Sequence, residues 1–263
     1  MSPAESTPAA AGGGRAVVVH PDAQVLAQAV AARLLTRLLD VQSVRRPAHV
    51  VLTGGTVGIA LLAEAAASPL RDAVDWTGVH VWWGDERFLP AGDPDRNETQ
   101  ARAALLAALA DVLPAANVHP MPASDAPGIG SPEESAAAYA AELAAFAPAA
   151  DGAGGPRVPA FDVLLLGMGP DGHVASLFPG HEALVVTGVS TVGVHGSPKP
   201  PPLRVSLTFD AIHAARQVWV VAAGAEKAAA VAAALGGAGV DQTPAAAATG
   251  ATTLWLVDAA ASA

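Results

Sequence analysis

The sequence predicts an α/β fold built on a mainly parallel sheet with helices on both faces, and three features carry that expectation. Short apolar runs alternate with longer segments of helical periodicity along nearly the whole chain. Several of these runs are apolar throughout rather than alternating, as strands buried on both faces are. Glycine-bearing or charged segments follow four of the runs, and open parallel sheets place their ligands beyond the carboxyl ends of their strands.

The elements follow in order. RAVVVH (15–20) is a strand and 22–40 a helix. HVVLTGG (49–55) reads as strand and turn, and 56–68 as the helix that the turn opens. GVHVWWGDE (78–86) is one strand, and 98–113 a helix. The segment 131–147 is a helix with Ser131 as N-cap, Pro132 in the first turn and Glu134 completing a capping box. Residues 147–160 are rich in Gly, Ala and Pro and form a surface loop. FDVLLLG (161–167) is a mid-sheet strand. Strands are expected at 185–194 and 204–208, separated by an extended SPKPPP (197–202). RQVWVVAAG (216–224) is strand and turn, 226–235 a helix, and 253–258 the closing strand. The chain shows no internal repeat. It divides into a disordered tail (1–14), one α/β domain (15–258) and a short C-terminal tail (259–263).

Composition narrows the function. A chain of 263 residues buries a full core. It has no cysteine, which excludes disulfides, thiolate metal sites and a cysteine nucleophile, and fits a cytoplasmic location. The N-terminal stretch lacks the basic start and apolar run of a signal peptide, and no run is long enough to span a bilayer. A formal net charge of -10 argues against nucleic acid or an anionic membrane as partner. An anionic small substrate then requires local focusing of cations. Of the 14 basic residues only Lys199 and Lys227 are lysines, which singles them out.

Four strand ends carry candidate chemistry. Gly54, Gly55 and Thr56 open a helix whose free N–H groups attract phosphate, although GxxxxGK[ST] is absent. Asp85, Glu86 and Arg87 place two carboxylates and a guanidinium together, and the planar fork of Arg suits phosphate. Gly224 to Lys227 form the third end. The fourth, GMGPDGH (167–173), has the GxGxxG spelling of a dinucleotide turn. That reading needs an acidic residue about twenty positions on, at the end of the next strand. There is none between Ala183 and Phe209. The glycines are better read as shaping a loop that presents His173, whose imidazole suits proton transfer near neutral pH. Asp171 either orients that ring or caps the loop backbone. The other histidines (His20, His49, His80, His119, His181, His195 and His213) show no metal-ligand spacing. GxSxG is missing, which removes an α/β-hydrolase serine.

Taken together, LTGGT (52–56), WWGDERFLPAGDPDRNE (82–98), FDVLLLGMGPDGHVASLFPG (161–180), SPKPPPLRVSLT (197–208), VVAAGAEKA (220–228) and TTLWLVD (252–258) resemble the 6-phosphogluconolactonase family. That family sits in the larger group that includes the glucosamine-6-phosphate deaminases. The resemblance implies a three-layer α/β/α fold with a modified Rossmann-like, mainly parallel sheet. It implies hydrolysis of 6-phospho-D-glucono-1,5-lactone in the oxidative pentose phosphate pathway, with no metal or organic cofactor. His173 matches the general base, and Arg87 and Lys227 match phosphate-binding positions beside Gly54, Gly55 and Thr56. Asn97, Arg204 and Asp85 are expected as further residues binding the substrate or its phosphate, and Lys199 lies in the proline-rich loop. RNETQ (96–100) departs from the family's Ser-Asn-aromatic pattern but keeps the Asn. A monomer is expected, with weak self-association as the alternative.

Two other readings compete. A glucosamine-6-phosphate deaminase would need a titratable partner for the histidine; where related deaminases carry a Glu, this chain has Phe178. A non-catalytic sugar-phosphate sensor would keep the pocket without the chemistry, yet this chain retains His173.

Overall fold

A computed structural model describes residues 14–148 and 155–263. The expected N-terminal tail, apart from Gly14, and the middle of the expected 147–160 loop lie outside the described residues. Six strands form one parallel sheet in the order β1-β9-β8-β5-β2-β3. They are β1 (Gly14–His20), β2 (Ala48–Leu52), β3 (Val79–Trp83), β5 (Val163–Gly167), β8 (Gln217–Ala222) and β9 (Thr252–Asp258). Neighbouring pairs are all parallel; Val50 and Val51, for example, lie opposite Val163 and Leu164. Side chains alternate between the two faces, and each face has its own core. Val50, Leu52, Val163, Leu165 and Trp219 pack beneath helices α1 (Ala23–Val44) and α2 (Gly55–Ala67). Val51, Leu164, Leu166, Val218 and Trp255 pack on the opposite face. There α4 (Pro132–Ala145), α5 (Phe209–His213) and α6 (Ala228–Leu235) cover them. The result is the expected three-layer α/β/α arrangement.

The sequence reading missed a second sheet. The run expected as one strand over 78–86 is broken at Gly84. β3 stays in the parallel sheet, whereas β4 (Asp85–Arg87) leaves it to pair antiparallel with β7 (Arg204–Leu207). Gly84 joins the two layers, its N–H donating to Leu52 O (3.1 Å) and its carbonyl accepting from Leu207 N (2.9 Å). β6 (Thr191–Val194) completes this three-stranded sheet. The strand expected over 185–194 is therefore confined to its second half, after a short 3₁₀ turn at Glu182–Val185. The helix expected over 98–113 ends early: α3 (Asn97–Ala104) gives way to a 3₁₀ turn at Leu106–Leu109. The 197–202 segment bends rather than running extended. Apolar periodicity cannot separate such cases, because a strand that changes sheets keeps its hydrophobic pattern while its hydrogen-bond partners change.

Local signals held better at the helix starts. Ser131 Oγ accepts from Glu134 N (3.2 Å), as an N-cap should. The return bond of the capping box goes instead to Gly130 N, 2.6 Å from Glu134 Oε2. After β9, residues expected as a tail form a turn: Ala261 N donates to Asp258 Oδ1 (2.8 Å) and Ala261 is fully buried.

Three histidines scattered in sequence meet at the amino end of β2 and β3, away from the strand ends that carry the glycines. His49 and His80 are cross-strand partners, with ring centroids 5.1 Å apart. His119 stacks on Trp82 at 3.9 Å and lies 2.8 Å from His80 Nδ1 through its Nε2. Its other ring nitrogen meets Glu142 Oε1 at 2.6 Å. Trp82 Nε1 donates to His49 Nδ1 (3.1 Å). Burial, reinforced by the charges of His80 and His119, pushes His49 down to about 3; burial and His119 lower His80 as well. The unfolded chain takes up these protons near the ordinary histidine pKa, whereas the folded chain resists them until lower pH. The resulting stabilisation is complete above about pH 6.5 and is lost as the pH falls toward about 3, on the order of 3–5 kcal/mol for His49. Denaturant unfolding measured across that range should show a steep acid loss in the wild type and a shallower one in His49→Gln. Parallel slopes would show that this cluster does not govern acid stability.

Candidate functional site

The chain passes from β2 outward to β3, whereas β5 lies on the other side of β2 and leads on to β8. This change of direction leaves a crevice at the carboxyl ends of β2 and β5, where open α/β sheets bind ligands. A cavity of about 630 Å³ occupies it. Its walls include His173, Gly54, Gly55, Thr56, Asp85, Arg87, Asn97, Arg204 and Lys227, so nine of the ten residues expected at a site converge here. The tenth, Asp171, stands behind His173.

The loop after β5 builds the presenting device. No helix opens at the glycine loop, the next helical turn beginning only at Glu182, so the glycines have no helix N-terminus to offer a pyrophosphate, and the dinucleotide reading fails on geometry. A tight turn forms instead, with Gly172 N donating to Gly169 O (3.0 Å) and Gly169 N to His173 O (3.0 Å). Gly172 takes φ +79° against Thr243, a conformation that side-chain-bearing residues rarely adopt. At Gly169 an added Cβ would lie 2.1 Å from the His173 ring, so a bare backbone is needed for the imidazole to fold back over the loop. Asp171 Oδ1 is 2.5 Å from His173 Nδ1. That carboxylate assigns the ring proton to Nδ1 and leaves the Nε2 lone pair free. Burial opposes ionisation of Asp171. The hydrogen bond from His173 and the charges of His173 and Lys199 outweigh burial and hold the carboxyl well below its usual range. Phe178 packs on the other side of the ring, its centroid 4.6 Å away.

The opposite wall comes from β4 and the start of α3. Asn97 Nδ2 donates to Asp85 O (2.9 Å) and Asp85 Oδ1 (3.2 Å). Ser176 Oγ donates to Asp85 Oδ2 (2.7 Å). Both oxygens of Asp85 are thereby engaged, and the residue braces the histidine loop against α3. Gly54 lets the Asn97 amide approach: an added Cβ would sit 1.9 Å from Asn97 Oδ1. Beneath this wall lies Glu86, 1% exposed, a residue the sequence reading left without a role.

Four cations line the cavity: Arg87, Lys199, Arg204 and Lys227. Both lysines of the chain are therefore here, concentrating positive charge in a protein of net charge -10. They are not equivalent. Arg204 uses Nε and Nη2 to hold the carbonyls of Pro201 (2.9 Å), Lys199 (3.0 Å) and Pro200 (3.0 Å), and so staples the proline-rich loop. That staple brings Lys199 Nζ to 3.4 Å from His173 Nδ1 and 3.6 Å from Asp171. Arg87 donates through Nη1 to Asp95 O (2.6 Å), while its buried Nε has no protein partner. Burial, then the charge of Lys199, lowers the pKa of Lys227. The backbone N–H groups of Gly167, Gly169, Gly172 and Gly224 already donate within the protein, to Thr53, His173, Gly169 and Asp258 respectively. The start of α2 has no side-chain cap, which leaves its first N–H groups toward the cavity as the backbone surface for an anion.

The profile of the family described as glucosamine-6-phosphate isomerases/6-phosphogluconolactonase matches residues 21–255. A 6-phosphogluconolactonase of Streptomyces coelicolor is 57% identical over 246 residues, 93% of this chain and 92% of that protein. One from Mycobacterium leprae is 46% identical over 243 residues, covering 92% of this chain and 95% of the other. The solved structure of a 6-phosphogluconolactonase from Trypanosoma brucei superposes with a TM-score of 0.80 at 30% identity, covering 95% of this chain and 98% of that one. The chain belongs to the glucosamine-6-phosphate isomerase/6-phosphogluconolactonase family.

Proposed function

We propose that this chain is a 6-phosphogluconolactonase: it hydrolyses the ring ester of 6-phospho-D-glucono-1,5-lactone to 6-phospho-D-gluconate, with His173 as general base. The observation that carries this reading over its relatives is the pair of neighbours around the imidazole. Asp171 holds one ring nitrogen, and the apolar Phe178 covers the ring where a deaminase would need a titratable partner. The names of the relatives point the same way.

The chemistry follows from the arrangement. A water hydrogen-bonded to His173 Nε2 attacks the lactone carbonyl and passes its proton to the ring. Asp171 stabilises the imidazolium that forms. As the tetrahedral intermediate collapses, the C1–ring-oxygen bond breaks and the imidazolium protonates the departing oxygen. Arg87, Lys227 and the first turn of α2 take the phosphate, which fixes the distant carbonyl against the water. Arg204, Asn97 and Asp85 serve chiefly by holding the walls, and Lys199 adds positive potential beside the base. No cofactor enters these steps. No described helix is long and apolar enough to cross a membrane. A cytoplasmic location, on the cysteine argument given above, and a monomer, with weak self-association as the alternative, complete the proposal.

Freshly generated lactone provides the test. Ester loss should be faster with protein than in a blank run alongside, because the lactone also opens unaided. Ammonia release from glucosamine 6-phosphate would select the deaminase instead, and saturable sugar-phosphate binding with neither reaction would select the sensor.

A further inference from the structure

Glu86 is the most deeply buried carboxylate in contact with the cavity wall, and it does not itself line the cavity. Its oxygens accept three backbone N–H groups. Arg87 N donates to Oε1 at 2.8 Å, Asn97 N to the same oxygen at 2.7 Å, and Glu98 N to Oε2 at 2.9 Å. Two of these belong to the first turn of α3, which has no side-chain cap of its own from the Arg96 position. The third belongs to the residue whose guanidinium lines the cavity. One carboxylate from β4 therefore caps α3, sets the Asn97 amide against Asp85 and Gly54, and fixes the backbone from which Arg87 projects.

We infer that Glu86 is a positioning residue for substrate binding: in its ionised form it holds Arg87 and Asn97 in the cavity wall, and substrate affinity falls when it takes up a proton. The chemical reason is donor–acceptor matching. An ionised carboxylate only accepts, so it can serve all three N–H groups at once. The protonated acid turns one oxygen into a donor that needs an acceptor of its own and weakens the bonds from those N–H groups, which are then no longer charge-assisted. Burial, only partly offset by the neighbouring positive charge, places this change in the neutral range. Burial pushes Glu86 up to about 7, against the opposing pull of Arg96, 3.7 Å away, and of the three N–H groups. The other polar or charged groups facing it are Asp85 and Arg87 on its own strand, Glu98 on α3, Arg204 on β7 and Tyr139 on α4. None of these supplies a second acceptor for the α3 N–H groups.

The inference rests on the lactonase reading, so the experiment uses two readouts: KM and kcat for the lactone, and the dissociation constant of 6-phosphogluconate by calorimetry. Both are followed from about pH 5.5 to about pH 8.5. In the wild type KM and the dissociation constant should rise about fivefold to tenfold as the pH falls through 7. Glu86→Gln mimics the protonated acid. It should show the raised values at every pH, with kcat at the alkaline end within about threefold of wild type. If that variant does not fold, Asn97→Ala replaces it. Removing the amide that Glu86 places should raise KM at the alkaline end and, because Glu86 still holds Arg87, leave a smaller rise as the pH falls. A wild-type affinity independent of pH overturns the role of Glu86, as does a Glu86→Gln protein that tracks the wild type, or one whose kcat falls as far as its KM rises. Absence of lactone turnover would overturn the proposed reaction while leaving the calorimetric test of Glu86 intact.

Discussion

His173→Ala should lower kcat by about 10²–10⁴-fold, the usual worth of a positioned general base, with KM changed little. The reasoning is geometric. The imidazole lines the cavity but leaves the cationic contacts to other elements: Arg87 to β4, Lys227 to the turn after β8. Removing the ring deletes the proton acceptor and leaves the phosphate anchors standing. Arg87→Ala should give the opposite signature, a raised KM with most of kcat retained, because a phosphate contact serves ground state and transition state alike. Steady-state kinetics on both variants, corrected for spontaneous lactone opening, separate the roles. Near-wild-type kcat in His173→Ala would remove the base from the mechanism.

Gly169→Ala should be nearly as damaging although it adds a single methyl group. Its Cβ would fall 2.1 Å from the His173 ring atoms and 2.4 Å from Asp171 Oδ1, far inside contact distance. The neighbours that must yield are side chains at the cavity rather than core backbone, so the fold survives and the catalytic pair does not. A displaced imidazole loses both its tautomer-fixing carboxylate and its aim at the carbonyl, and errors of about 1 Å in such alignment cost on the order of 100-fold. The expected result is a loss of about that size in kcat/KM with a thermal midpoint only a few degrees below wild type. Gly55→Ala is a useful contrast: φ there is +78° and nothing lies within 4 Å, so its effect should be backbone strain at the start of α2 rather than a collision. Full activity in Gly169→Ala would show that the imidazole works from another rotamer.

Much of this was legible in the sequence. Strand–helix alternation placed the parallel sheet, because burial on both faces dictates apolar strands. The strand ends then pointed to the cavity, because a parallel sheet directs its carboxyl ends to one edge. The motifs on those ends picked out His173, Asp171, Arg87 and Lys227, and the resemblance added Asn97, which opens α3. The antiparallel layer of β4, β7 and β6 was not legible, since the exit of the chain at Gly84 depends on which strand accepts its hydrogen bonds. The division of labour among the charged groups was equally hidden. Arg204 reads as one more phosphate ligand until its guanidinium is seen on three carbonyls. Glu86 reads only as one of two carboxylates beside Arg87 until it is found beneath the α3 start.

The sequence by itself determined the layers, the family and the chemical type of each group at the site. Those follow from local periodicity, from glycine where a backbone must turn, and from residue identity. Only the tertiary structure decided which polar groups face the cavity and which hold its walls. It also decided that His49, His80 and His119 form one cluster at the far end of the sheet. The physical reason is that a side chain's role is set by the partners it meets across long separations in the chain. Asp85 and Ser176 are 91 residues apart and joined by one hydrogen bond. A contact of that kind leaves no periodic trace, because neither residue type nor spacing encodes the neighbour that folding will supply.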